Sequence, residues 1–266
     1  MGRFAHRLLI GSVLAGISIF PSTIFANTTT HSNREIDTNS VMEQTKMTFE
    51  EPLSSPGVHD LVFTTSSGAQ VNYSLGVPAS LDSHTPLLLV LHYAGQPTAY
   101  YGRPLLESLV GPALASLAPV MIAPTSLGGD WSNENNQNAV FELIDAIESQ
   151  YETNPNRRVV TGYSMGGIGS WLFQGLKPAY FSAAIPIAGY REIPAEKCLT
   201  PISVLLSKDD GLFATEKLNT LVNTLVEAGC EVKQTMIDGV DHYNIVGYSE
   251  VLKAQADWLR AIWARE

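Results

Sequence analysis

The 266-residue sequence predicts an α/β fold, with a mostly parallel sheet headed by an antiparallel pair and helices on both faces. Three observations carry that expectation. Short apolar runs recur along the chain with helical patterns between them. The runs are apolar at successive positions, as strands covered on both faces require. The segment ahead of them instead alternates with a period of two, as a half-exposed hairpin does. Composition agrees with a real core: 45% of residues are apolar and 16% charged, which excludes a disordered or collagen-like chain. No 20–50-residue repeat points to a solenoid or propeller.

The elements follow in chain order. Arg3, His6 and Arg7 precede an apolar stretch from Leu8 to Phe20, and Ala26 offers a small residue at a cut. That is the pattern of a secretory signal peptide over residues 1–26. The stretch before Pro21 is shorter than the roughly 20 residues that span a bilayer, so no stable membrane insertion is expected once the signal is removed. Residues 27–56 are rich in Thr, Ser, Asn and Glu without periodicity and read as a flexible polar segment, leaving a catalytic domain over residues 57–266. Asp60–Thr65 and the alternating Val71, Tyr73, Leu75 and Val77 form the hairpin. Buried strands are expected at Leu87–Leu91, Val120–Ala123, Val159–Thr161, Ala183–Ala188 and Ile202–Leu206, with a more alternating strand at Val232–Ile237. Val140, Leu143, Ile144, Ile147 and Tyr151 form one helical stripe, and Leu218, Leu221, Val222, Leu225 and Val226 another that stops at Gly229. Val251 to Trp263 gives a closing helix.

In such sheets chemistry gathers at the carboxyl ends of the strands. Gly162-Tyr163-Ser164-Met165-Gly166 lies there, after one expected strand and before the helical stretch from Ile168. A Gly-x-Ser-x-Gly turn of this kind lifts a serine hydroxyl above the sheet, and the small residues allow the backbones to pack closely. A serine hydroxyl needs a base, and the base needs an orienting acid. His242 is the only one of the six histidines that follows Ser164, and it sits just after the last strand. The acid is expected after Ile202–Leu206, where Asp210 is preferred and Asp209 is the alternative if the turn is one residue shorter. Charge on a substrate carbonyl oxygen calls for two backbone N–H groups. Met165 supplies one, and Tyr93 or Ala94 the other. His92 reads as a residue braced within that turn rather than as a rival base.

Ser164 with Asp210 and His242 resembles the α/β-hydrolases. The stretch from Arg157 to Tyr190 is similar to secreted carboxylesterases of the prolyl-oligopeptidase-like and feruloyl-esterase/polyhydroxybutyrate-depolymerase groups. Leu91-His92-Tyr93-Ala94-Gly95-Gln96 stands where those enzymes carry Leu-His-Gly, with Tyr93 in place of the glycine. Ala123-Pro124 followed by Asp130-Trp131 fits their pattern of a tryptophan at the pocket edge, which makes Trp131 a substrate-binding candidate. Tyr93, Tyr100, Tyr101 and Tyr243 are further flat contacts. The short link from Ala188 to Ile202 leaves no room for a lid domain. The resemblance implies an exported serine hydrolase that cleaves carboxylic esters, small or polymer-linked, through an acyl-enzyme. An acyltransferase on the same scaffold and a non-catalytic binding protein are the alternatives.

Cys198 and Cys230 each precede a core strand. Neighbouring parallel strands about 4.8 Å apart would bring them within disulfide reach, and an exported chain meets an oxidising compartment. A Cys198–Cys230 bond is therefore expected, with two inert buried thiols as the alternative. The 16 Lys and Arg against 26 Asp and Glu, with no basic run, exclude nucleic acid as a partner. No spacing suggests a metal, and no glycine-rich fingerprint suggests a dinucleotide, so no cofactor is expected. The oligomeric state is not legible. The expected location is the periplasm or the exterior.

Overall fold

A computed structural model of the chain describes residues 53–177 and 179–265. The expected signal segment and most of the polar segment after it lie outside these residues. The eight strands are β1 (Gly57–Thr64), β2 (Gln70–Val77), β3 (Leu87–Leu91), β4 (Val120–Pro124), β5 (Arg158–Tyr163), β6 (Ala183–Ile187), β7 (Ile202–Ser207) and β8 (Val232–Ile237). They form one sheet in the order β1-β2-β4-β3-β5-β6-β7-β8. β1 pairs antiparallel with β2, and β2 antiparallel with β4. Every other neighbouring pair is parallel. The expected mixed sheet with its antiparallel head is the one observed.

The sheet is buried on both sides because its central strands alternate between two cores. Leu87, Leu89 and Leu91 of β3 face one core, and Leu88 and Val90 face the other. Helices α3 (Glu134–Glu148), α4 (Met165–Phe173) and α5 (Thr215–Glu227) pack into the first core through residues such as Leu143, Trp171 and Leu218. The second core is closed by a helical run and the C-terminal helices. In that run α1 (Arg103–Leu105) and α2 (Gly111–Leu114) flank the π-helical turns Leu106–Val110. The C-terminal helices are α6 (Ser249–Lys253) and α7 (Gln255–Trp263). α5 ends as its sequence predicts. Gly229 takes φ of 91°, while the N–H groups of Gly229 and Cys230 close back on the carbonyls of Val226 and Leu225.

Two expectations need correction here. The single closing helix is broken at Ala254. There the buried Gln255 amide donates to the Val251 carbonyl at 2.7 Å while its oxygen accepts from Ser203 Oγ at 2.8 Å. The side chain thus takes the acceptor that the next helical N–H would use. The Cys198–Cys230 bond is not formed, and both cysteines are free thiols. In register Ile202 pairs with Val232, so Thr200 rather than Cys198 lies level with Cys230. Cys198 stands further back, just past the 3-10 turn Ala195–Lys197. Burial, with the Cys230 thiol beside it, pushes the Cys198 thiol up to about 12.

No lid interrupts β6 and β7, because the link between them holds only that 3-10 turn. Among the described residues no helix is long and apolar enough to cross a membrane.

Candidate active site

Ser164 sits between the last residue of β5 and the first of α4, at the carboxyl edge of the sheet, with φ of 53° and ψ of −113°. A non-glycine residue at positive φ is strained and holds only where its surroundings over-determine it. Here the Ser164 N–H donates to the Ile187 carbonyl at 2.9 Å, and its carbonyl accepts from the Ile168 N–H at 2.9 Å. The turn fits because two flanking residues lack a Cβ. A Cβ on Gly162 would lie 2.6 Å from the Leu91 carbonyl oxygen, and one on Gly166 would collide with the same atom. The spacing of the glycines is thus a packing requirement against the end of β3.

The structure brings together the three side chains expected to work as a unit. His242 Nε2 lies 2.9 Å from Ser164 Oγ, and His242 Nδ1 lies 2.9 Å from Asp210 Oδ2. A carboxylate can only accept, so the ring proton belongs on Nδ1, which leaves Nε2 to accept from the serine hydroxyl. Asp210 is itself fixed, as its Oδ1 accepts from the N–H groups of Leu212 at 3.1 Å and Phe213 at 2.9 Å. The His242 N–H donates to the Asp210 carbonyl at 3.1 Å. Both side chains are nearly sealed from solvent, at 6% exposed for His242 and 0% for Asp210. Asp209, the alternative acid, turns elsewhere: its Oδ2 accepts from the Gly239 N–H at 2.6 Å and so ties down the loop that carries His242.

One support of this arrangement escapes sequence reasoning. Tyr163, the unspecified position of the Gly-x-Ser turn, donates its hydroxyl to the His242 carbonyl at 2.9 Å. Burial raises its phenol well above the usual range and keeps it a donor. Nothing in the sequence separates it from an ordinary buried strand residue, because its partner lies 79 residues further on.

Met165 opens α4, where the first N–H groups have no acceptor within the helix. The Tyr93–Ala94 loop is held by His92, whose two ring nitrogens are both engaged. Nδ1 lies 2.7 Å from the Tyr93 carbonyl and so donates to it, while Nε2 accepts from the Ser126 N–H at 3.1 Å. Burial lowers the His92 pKa, which keeps the ring neutral and matches this tautomer. In a trans peptide the carbonyl and the following N–H point in opposite directions. The bond to Tyr93 therefore turns the Ala94 N–H away from His92. The His92 carbonyl accepts from Trp131 Nε1 at 3.0 Å, which turns the Tyr93 N–H away from that indole.

Trp131, the expected substrate-binding residue, is 1% exposed. Its Cβ would lie 3.0 Å from a Cβ built on Gly169, so the side chain slots between α4 and the loop after β3 and braces the His92 peptide. The remaining aromatic candidates divide. Tyr93 and Tyr101 meet edge-on with centroids 5.4 Å apart, whereas Tyr243 stands 81% exposed beside His242. Among the described residues no group of three or more His, Cys, Asp or Glu could hold a metal ion.

A strained serine on a strand-to-helix turn, within this strand order, defines the α/β-hydrolases as the class. More particularly, the chain belongs to the dienelactone hydrolase family, whose model matches residues 123–262. It is 29% identical over 202 residues to "Feruloyl esterase C" of Emericella nidulans, covering 67% of this chain and 70% of that one. It is 28% identical over 108 residues to "Protein usf" of Aquifex pyrophilus, covering 39% of this chain and 47% of the other. Among solved structures it is similar to a thermostable esterase, with a TM-score of 0.66 and 25% identity over 77% of this chain and 62% of that one. The chain thus spans less than two thirds of the length of the Aquifex protein and of the thermostable esterase.

Proposed function

We propose that the chain is a serine hydrolase of carboxylic esters that works through an acyl-enzyme. One observation carries the reading: the unbroken chain from Ser164 Oγ through His242 to Asp210, with 2.9 Å at each link. His242 takes the hydroxyl proton as Ser164 attacks the ester carbonyl, and Asp210 orients and stabilises the imidazolium that forms. The oxyanion is met by the Met165 N–H, with Tyr93 or Ala94 supplying the second donor. His242 then protonates the departing alcohol. Water, deprotonated by the same ring, attacks the acyl-serine and releases the acid. Membership of the dienelactone hydrolase family and similarity to proteins named as esterases support ester chemistry. Residues 1–26 serve in this reading as an export signal, which places the activity outside the cytoplasm.

Ser164→Ala tests it. The variant is expected to lose p-nitrophenyl acetate hydrolysis by about three or more orders of magnitude while its melting temperature stays within a few degrees. Hydrolysis that survives the substitution contradicts the proposal.

A further inference from the structure

Apolar side chains standing in water cost free energy, so where they cluster matters more than how many there are. Among the described residues the three most exposed large apolar side chains are Tyr243 at 81%, Leu212 at 61% and Val246 at 56%. Leu212 and Tyr243 belong to the two loops that carry Asp210 and His242, and Val246 lies in the 3-10 turn Ile245–Tyr248 just after the second. Rings flank His242 on both sides of this region. The Phe213 ring lies 5.6 Å from the His242 ring on a tilted face, and the Tyr243 ring lies 5.6 Å away edge-on. Tyr190 extends the surface, 5.4 Å from Phe213, and its hydroxyl is fixed on the Ala214 carbonyl at 3.0 Å.

This rim is held in place by the bonds that set the catalytic groups. The Leu212 and Phe213 N–H groups bind Asp210 Oδ1. The Tyr243 and Asn244 N–H groups bind Asp241 Oδ1, at 2.8 Å and 3.0 Å. An apolar group that settles here meets a backbone already ordered, so little backbone entropy is lost on binding.

Resting on the serine-hydrolase reading above, we propose that this rim holds the alcohol half of the ester and selects alcohols that carry an uncharged, apolar ring. The chemistry assigns the side. When the Ser164 Oγ–acyl bond has formed and the acyl–oxygen bond of the alcohol breaks, the proton from Ser164 passes through His242 Nε2 to the alcohol oxygen. That oxygen must therefore lie on the histidine side, and the group attached to it is carried over the side chains around His242. Phe213 and Tyr243 are the side chains whose rings lie against His242, and the exposed Leu212 immediately precedes Phe213.

Two isomeric esters separate the halves: benzyl acetate carries its ring on the alcohol, and methyl phenylacetate carries it on the acyl group. Leu212→Ser and Tyr243→Ser, singly and together, are compared with wild type on both. The expected result is a fall of about tenfold in the ratio of kcat/KM for benzyl acetate over methyl phenylacetate in the double variant. Val62→Ser removes an exposed apolar side chain on β1 and leaves the ratio where it was. Thermal melting and the rate of labelling by a small fluorophosphonate confirm that each variant is folded and retains its serine. A ratio that does not move in labelled, folded variants, or one that moves the other way, overturns the alcohol-side assignment alone. A wild-type chain that fluorophosphonate does not label overturns the hydrolase reading, and the rim assignment with it.

Discussion

At the scale of single residues, two neighbouring carboxylates make different contacts. Asp210 and Asp209 are adjacent and chemically identical, yet one carboxylate faces His242 Nδ1 and the other the Gly239 N–H. Asp210→Asn is expected to lower kcat by about 10⁴-fold, because an amide in this place no longer fixes the Nδ1–H tautomer. Asp209→Asn keeps an oxygen for the Gly239 N–H and should cost less than about tenfold. Steady-state kinetics on the two variants check this, and equal losses would contradict the assignment. The sequence names Ser164 and His242 through a motif and through elimination, since both signals are local or countable. It leaves Asp209 and Asp210 open because one residue of turn length decides between them. It misses the bonds that Tyr163 and Trp131 make for a shared reason: each side chain donates to a distant backbone carbonyl, and no spacing records that.

At the scale of elements, the loop after β3 behaves as a rigid insert. His92 donates to one carbonyl, accepts from one N–H and lies between Tyr101 and Trp131, with ring centroids 4.9 Å and 4.8 Å away. Burial lowers its pKa in the folded chain below the ordinary value of about 6.5. The unfolded chain therefore binds the proton first, so the stability held at neutral pH is lost as pH falls from about 6.5 toward the lower folded value. Denaturant titrations at pH 7 and pH 5 are expected to give a steeper loss for wild type than for His92→Gln, by up to about 1.4 kcal/mol per pH unit within that window. Equal slopes would mean that His92 is not held neutral. Most elements here are legible because strands buried on both faces and striped helices each leave a repeating trace. α3 begins at Glu134, ahead of its apolar stripe, since its start is set by the Asn133 side chain accepting from the Asn135 N–H. The break at Ala254 is not legible, because it depends on Gln255 reaching Ser203 in β7.

At the scale of the whole molecule, the sheet converts sequence distance into proximity. Ser164 follows β5, Asp210 follows β7 and His242 follows β8. Parallel neighbours end on one edge, so three loops 32 to 78 residues apart meet there. That convergence was legible from the alternation of strands and helices alone, since each parallel strand returns its loop to the same side. The cysteine pair shows the limit of such reasoning. Neighbouring strands bring the two thiols beside each other, as expected, but they stand as free thiols.

In the proposed chemistry the hydroxyl of residue 164 is the one group that attacks an acyl or phosphonyl centre. Treating the folded protein with a fluorophosphonate, digesting it and mapping the adduct by mass spectrometry tests this directly. The predicted result is one adduct per chain, on Ser164, that forms together with the loss of ester hydrolysis. An adduct on any other residue, or hydrolysis that persists once Ser164 is fully modified, would contradict it.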